Sequence, residues 1–297
     1  MKRLDQGYHD AVPMADYIAD PCPEPSLSTG VVFDLVKRSP LHAQYNHPRF
    51  GGAHDESTPR ADIGSAVHSL AVGGAPVEYV TSVVRKTGPE KGKAFEPTDW
   101  MTSDAKDQRE AIREAGGIPL LGCDRVSVET IVASAREGLA EFGALRFEQT
   151  MIWRDEKHGV WCRGRPDAIS ECGGYDLDLK TVENADPKAW ADRVMGGAGY
   201  DVQMTLRGRG HEQLGGRTRD LVFLLVEISP PYGWSFVGVG QTRRDLANRK
   251  IELAMQKWKQ CLATKRFPSY PKTIHWAEAP SYEVYDFEQR EILSGVT

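Results

Sequence analysis

The sequence has no apolar run approaching the roughly 20 residues that a membrane span requires. Its opening stretch, MKRLDQGYHDAVPMADYIAD, has no apolar segment of the kind a secretory leader carries. The expectation from both absences is a cytoplasmic protein. Cysteine is scarce: Cys22, Cys123, Cys162, Cys172 and Cys261 are odd in number and scattered, which argues against a disulfide framework. No internal repeat or low-complexity segment stands out. A net positive charge is missing too. The formal balance is −5, which by itself counts against a nucleic-acid partner. The charge is unevenly spread, however. Residues 243–266 carry Arg243, Arg244, Arg249, Lys250, Lys257, Lys259, Lys265 and Arg266 against only Asp245 and Glu252. Arg193, Arg207, Arg209, Arg217 and Arg219 form a second basic region, and the first 24 residues are acidic. The distribution allows either a basic groove on an acidic body or a solvated helix face.

What is present is ordinary globular composition, with 40% hydrophobic and 27% charged residues over 297 positions, enough chain for a sizeable core. Residues 1–27 hold Pro13, Pro21, Pro23 and Pro25 and read as an irregular arm. Residues 28–38 read as a helix with Ser28 at its N-cap. A loop is expected over 44–62, a helix over 63–71 and a polar excursion over 86–106. Val128, Ile131, Val132, Ala135, Leu139 and Phe142 recur at helical spacing. Strand-like runs follow at 145–153, 160–169 and 175–180. A helical region covers 187–214 and is interrupted at Gly196-Gly197-Ala198-Gly199. Residues 221–226 are continuously apolar, as in a strand covered on both faces, and 234–239 read as its neighbour. The last clear element is a long amphipathic helix over 242–264, with Ala247, Ile251, Ala254, Met255, Trp258, Cys261 and Leu262 on one stripe. This order predicts one α/β domain with a mixed sheet over 28–270, followed by a tail over 271–297.

Two short pieces point to chemistry: Gly164-Arg165-Pro166-Asp167, and Asp176-Leu177-Asp178-Leu179-Lys180. Side chains alternate along a strand, so Asp178 and Lys180 share one face while Leu177 and Leu179 point into a core. A carboxylate able to bind a metal then stands beside an ammonium, an arrangement suited to phosphodiester hydrolysis with a divalent cation and an activated water. An Asp-x-Lys alone is usually a solvated strand; the Pro-Asp upstream strengthens the case. Aspartate is disfavoured in strands and costly when buried without a partner, so Asp178 should face a metal or a cation. Asp176 lies on the same face and is a rival ligand. His68 follows Gly64 by one helical turn, which leaves the imidazole open to approach. Tyr200, Gln203 and Arg207 share one face of the helix after the Asp-x-Lys.

Taken together these pieces resemble the PD-(D/E)xK nuclease superfamily, a restriction-endonuclease-like core with a central mixed sheet flanked by helices. The narrower likeness is to the phage-type RecE (exonuclease VIII) group, and more loosely to lambda exonuclease. The resemblance lies in Gly64-Ser65-Ala66-Val67-His68, Cys162-Arg163-Gly164-Arg165-Pro166-Asp167, Asp178-Leu179-Lys180-Thr181 and Tyr200-Asp201-Val202-Gln203, in that order. It covers roughly residues 28–270.

The resemblance implies a DNA exonuclease using Mg²⁺, with Mn²⁺ open because a histidine is present. His68, Asp167, Asp178 and the Leu179 carbonyl would hold the metal. Lys180 would place or activate the attacking water, with Gln203 helping, and Glu148 matches a further family position of lower rank. Where the family often has tyrosine, this chain has Arg207, which is expected to contact DNA phosphate. Ser28, at a helix N-terminus, and Arg165 are further candidates for DNA contact. The implied partners are double-stranded DNA ends, a single-strand annealing protein of the RecT kind and further copies of the chain in a closed ring, within a bacterial host cell. Iron–sulfur nucleases on the same core need a tight cysteine trio near the C-terminus, and only Cys261 lies there. A structure-specific repair endonuclease and a catalytically silent DNA-binding module are the alternatives.

Overall fold

The computed structural model describes residues 2–51 and 59–295. In chain order its main elements are β1 (Gly7–His9), α1 (Thr29–Lys37), α2 (Pro59–Val72), β2 (Val77–Val80), α3 (Ser103–Glu114), β3 (Ile118–Leu121) and α4 (Arg125–Ala140). Then come β4 (Leu145–Phe147), β5 (Thr150–Arg154), β6 (Trp161–Gly164), β7 (Ala168–Ser170), β8 (Tyr175–Val182), α5 (Tyr200–Gly215), β9 (Asp220–Glu227), β10 (Trp234–Gly238), α6 (Gln241–Thr264) and α7 (Ser281–Ser294).

The central sheet has the order β10-β9-β8-β7-β4. It is mixed as expected: β8 and β9 run parallel, and the remaining pairs are antiparallel. On β9, Leu224 and Val226 join α4 residues in one core, while Leu221, Phe223 and Leu225 join Trp190, Met195 and Met204 in another. A strand apolar on both faces is the signature of a sheet covered on both sides. The α4 helix approaches so closely that a Cβ on Gly138 would lie 2.6 Å from Leu224 Cδ1. On β8 the alternation carries chemistry. Leu177 and Leu179 face the α4 core, whereas Asp176 and Asp178 are fully buried on the other face, under α5.

A second sheet, β1-β5-β6, stands beside the first and delivers the chain from β6 into Pro166-Asp167. The α5 helix lies along it, and α6 packs on α5 and α1 with Ala247, Ile251, Ala254, Met255, Trp258 and Cys261 buried, as the stripe predicts. Among the described residues no helix is long and apolar enough to cross a membrane.

Several segments depart from the sequence expectation. Residues 2–27 are irregular only in part: β1 pairs with β5, Met14–Ile18 is a short helix, and Leu27 exchanges backbone hydrogen bonds with Trp161 and Arg163. The expected loop over 44–62 begins inside a helix (Pro40–Asn46), residues 52–58 of it lie outside the described residues, and α2 starts at Pro59, earlier than 63. The polar excursion over 86–106 includes a short strand at Ala94–Phe95 and the start of α3. The tail over 271–297 contains α7, which buries no residue.

One buried cluster explains why the N-terminal segment is ordered. Asp20 is fully buried and accepts hydrogen bonds from Ser26 N (3.0 Å) and Ser26 Oγ (2.7 Å). It lies 3.2 Å from Arg163 Nη1 and 3.4 Å from His47 Nε2. Burial outweighs the pull of Asp20 on His47 and lowers that imidazole to about 4, so it stays neutral near pH 7. Arg163 is therefore the nearer charged partner, with Arg49 Nη1 at 3.9 Å as a second. Asp20→Ala leaves the Arg163 guanidinium buried and unpaired, and a loss of about 3–5 kcal/mol is expected. Denaturant melts should show a lower midpoint at unchanged slope; a loss under about 1 kcal/mol would mean the cluster is dispensable.

Candidate active site

Four elements converge on the site. The α2 helix supplies His68, the turn between β4 and β5 supplies Glu148, the irregular segment between β6 and β7 supplies Arg165 and Asp167, and β8 supplies Asp178 and Lys180. A Cβ at Gly64 would lie 2.9 Å from Thr181 Oγ1, so this glycine lets α2 approach β8. The sequence reading gave Gly64 a different role, access to the imidazole.

His68 Nε2 lies 3.2 Å from Asp167 Oδ1 and 3.3 Å from Glu148 Oε1. The donor atoms of these three residues all fall within 4.8 Å of one another. Glu148 occupies the left-handed region at φ 55°, uncommon for a non-glycine residue, and its N–H donates to the Asp167 carbonyl at 3.1 Å. Its carboxylate also contacts Arg165 Nε. The second Asp167 oxygen accepts a hydrogen bond from Leu179 N–H at 2.7 Å. That bond ties the cluster to β8.

Asp178 stands outside this trio. Its Oδ1 accepts from Gln203 Nε2 (2.8 Å) and Arg207 Nη1 (2.7 Å), and its Oδ2 lies 2.6 Å from Lys180 Nζ. That last contact is an ion pair without hydrogen-bond alignment, so Oδ2 is a buried oxygen with no aligned donor. Lys180 also sits 4.8 Å from the Tyr200 ring centroid.

The charges are mutually adjusted. Burial opposes a charge on His68, but Asp167, with Glu148 and Asp178 behind it, more than offsets this and raises the imidazole pKa. Burial would raise Asp167, yet His68, Lys180 and Arg207 bring it below its usual value. Burial lifts Glu148, and His68 and Arg165 only partly counter it. Lys180 is desolvated, but Asp178 and Asp167 overcome that cost and raise its pKa. It is therefore an ammonium at neutral pH, fit to stabilise negative charge and unfit to act as a base.

Arg207 corrects the sequence reading. Its side chain is only 2% exposed, with Nη2 donating to Asp176 Oδ1 at 2.6 Å and Nε to Asp176 Oδ2 at 3.2 Å, besides the bond to Asp178. It cannot reach a DNA phosphate, because its donors are taken by two buried carboxylates. Asp176, the rival ligand, is likewise occupied: His211 Nε2 lies 2.9 Å from it, and Tyr8 Oη lies 2.9 Å from His211 Nδ1. Sequence reasoning missed this line from Tyr8 to Asp178. The only signal was His211 standing four residues after Arg207, on the same helix face.

A cleft of ≈ 690 Å³ opens over the trio, and Ser28, Arg165 and Gln203 also line it. Ser28 holds the N-cap position of the nine-residue α1 and makes no side-chain capping bond. Thus His68, Asp167, Ser28, Arg165 and Gln203 share one cleft. Leu179 and Lys180 line a second one, of ≈ 950 Å³.

This fold and site define a PDDEXK-like nuclease core. Residues 127–279, more than half of the chain, match the family described as a PDDEXK-like domain of unknown function (DUF3799), and the chain belongs to that family. A crystal structure of a candidate exonuclease from Eubacterium rectale is 12% identical, covers 94% of this chain and 98% of its own, and superposes with a TM-score of 0.58. At that identity the likeness concerns the fold alone. The structure of SSO0001, also 12% identical, covers 74% of this chain and 100% of its own with a TM-score of 0.28, and carries no argument. No curated protein sequence matches the chain.

The donor set fits the divalent cation that PDDEXK nucleases generally use. One imidazole and two carboxylates converge, with the unaligned Asp178 Oδ2 nearby, and oxygen-rich sites of this kind suit Mg²⁺ or Mn²⁺.

Proposed function

We propose that the chain is a divalent-metal-dependent exodeoxyribonuclease. In this reading it hydrolyses one strand from the ends of double-stranded DNA, 5′ to 3′, and leaves a 3′ overhang for a single-strand annealing protein in phage-type recombination. The observation that carries the reading is the His68–Glu148–Asp167 cluster joined through the Leu179 N–H to the Asp178–Lys180 pair. His68, Glu148, Asp167 and Asp178 would hold the metal, which when bound supplies a Lewis acid and lowers the pKa of a coordinated water. The chain's own groups do the rest. Lys180 places a positive charge beside Asp178, where negative charge develops during attack on the phosphate. Gln203 and Arg207 hold Asp178 in one orientation. Arg165 fixes Glu148.

The deciding experiment is digestion of end-labelled linear duplex and covalently closed circular duplex, with Mg²⁺ or Mn²⁺ and with chelator. Loss of label from linear DNA alone, only with metal, supports the exonuclease. Nicking of circles supports a repair endonuclease on the same core, and no hydrolysis in any arm supports a silent module.

End recognition gives a finer expectation. The Ser28 hydroxyl at the α1 N-terminus and the Arg165 side chain line the same cleft as the metal-binding cluster. A 5′-phosphorylated duplex should be digested about ten-fold faster than its 5′-hydroxyl counterpart, the equivalent of roughly 1.4 kcal/mol. Ser28→Ala should reduce that ratio. An unchanged ratio in this variant, or no preference in the parent, removes Ser28 from end recognition.

A further inference from the structure

We infer that Tyr8, on the N-terminal strand, and His211 are positioning residues for the Asp178 carboxylate, on which they act through Asp176 and Arg207. That Asp178 holds a metal rests on the nuclease reading above; the line of contacts does not.

The line is continuous. Tyr8 Oη lies 2.9 Å from His211 Nδ1, and the two rings stack with their centroids 5.9 Å apart. His211 Nε2 lies 2.9 Å from Asp176 Oδ2. Asp176 Oδ1 accepts from Arg207 Nη2 at 2.6 Å, and Arg207 Nη1 donates to Asp178 Oδ1 at 2.7 Å. From His211 inward every member is buried.

The fold brings these groups together by joining its two sheets through one helix. Tyr8 belongs to β1, the edge strand of the second sheet, and Asp176 and Asp178 belong to β8, the middle strand of the first. Between them α5 carries Arg207 and His211 about one turn apart. A Cβ on Gly210 would lie 2.8 Å from Met151 Cε, so this glycine lets α5 settle on β5. Met151 is the residue that Tyr8 faces in the β1–β5 pairing.

The donors have one consistent direction. A carboxylate paired with a guanidinium only accepts, so His211 Nε2 carries a proton towards Asp176. At the outer end the Arg219 side chain, a donor only, acts on the Tyr8 oxygen, which leaves the phenolic proton for His211 Nδ1. Both nitrogens of the ring are thereby engaged, and its orientation is set.

What the line conveys is position. A guanidinium keeps its protons, so no proton passes Arg207. Its fork is divided between two carboxylates, with Nε also 3.2 Å from Asp176 Oδ2. The His211 N–H gives Asp176 a donor of its own, and this leaves Nη1 for Asp178. Without it Asp176 draws the guanidinium towards itself, and Asp178 Oδ1 keeps only Gln203. Groups that orient a metal ligand from outside the coordination sphere typically change metal affinity by about 10–100-fold.

The test uses the full chain with Tyr8→Phe, which removes only the hydroxyl, and His211→Leu, which removes both ring nitrogens. Mn²⁺ affinity is read by titration calorimetry at one pH, and urea melts are recorded beside it. His211→Leu should weaken Mn²⁺ binding about ten-fold or more, and Tyr8→Phe, one contact further out, about five-fold. The double variant should bind no more weakly than His211→Leu, because Tyr8 acts through the imidazole. If Mn²⁺ affinity in Tyr8→Phe stays within about two-fold of the parent while the urea midpoint falls, the network is merely structural and the inference is overturned. An unchanged affinity with an unchanged midpoint overturns it as well, and so do additive losses in the double variant. Should His211→Leu fail to fold, Tyr8→Phe still decides. Hydrolysis of linear duplex is followed in parallel. A parent that cuts no DNA while the affinities fall in the stated order would sink the nuclease reading and keep the line. A parent that cuts DNA while the affinities do not change would do the reverse, and a parent that binds no Mn²⁺ would sink both.

Discussion

Lys180→Ala and Asp178→Ala should each lower the hydrolysis rate by about 10³-fold or more, the scale seen when one preorganised charge is removed from a transition state. The two losses should have different origins. Lys180 is paired to Asp178 and faces Asp167, so its ammonium is held charged beside the reacting region. Removing it takes away positive charge but no candidate metal donor. Asp178 offers Oδ2, a buried oxygen without an aligned hydrogen bond. Titration calorimetry with Mn²⁺ should therefore show much weaker binding in Asp178→Ala and little change in Lys180→Ala. Equal metal binding in the two variants would reverse the assignment of roles, and retained hydrolysis in either would remove β8 from the site. Asp178→Asn separates charge from shape: it keeps an acceptor for Gln203 and Arg207 yet should lose most of the activity.

The β8 face was legible in the sequence because a strand has period 2, and nothing in the tertiary fold can rotate Asp178 away from Lys180 without also exposing Leu177 and Leu179. His68 and Asp167 were legible as positions through their motifs. Glu148 was much less so. It sits in a turn at a left-handed φ, and its aim depends on the backbone bond to Asp167, a contact no local pattern announces. The helix face of Tyr200, Gln203 and Arg207 was read correctly as a shared face, but the phosphate contact expected of Arg207 was wrong. Gln203 and Arg207 both point onto Asp178, Gln203 from the cleft and Arg207 from a buried position. The α3 helix escaped because SDAKDQREAIRE buries only Ala105 and so has almost no apolar stripe to detect. β1 escaped for a related reason: three residues paired on β5 carry too little pattern to outweigh the prolines around them.

A stability loss as large as that of Asp20→Ala is expected at Arg207. Its guanidinium is the main cation beside two fully buried carboxylates, bridging Asp176 and Asp178 across 2.6 and 2.7 Å contacts. Asp178 retains Lys180, but Asp176 would be left with His211 alone. Breaking a buried pair by deleting one partner strands the other charge in low dielectric, and Arg207→Met should cost about 3–5 kcal/mol. Arg207→Lys should not rescue it, since a single ammonium cannot reproduce the fork that reaches both aspartates. The diagnostic is a cycle with Asp176→Asn. If the cost is an unpaired charge at Asp176, the double variant Arg207→Met/Asp176→Asn should recover about 1–3 kcal/mol relative to Arg207→Met alone. Its activity should stay low, because Asp178 has still lost one of the two donors that orient it. Additive losses in the cycle would show that Arg207 acts through packing against Gly164, where a Cβ on the glycine would lie 3.1 Å from Arg207 Cγ. Full activity in Arg207→Met would show that Asp178 needs no positioning from beneath the sheet.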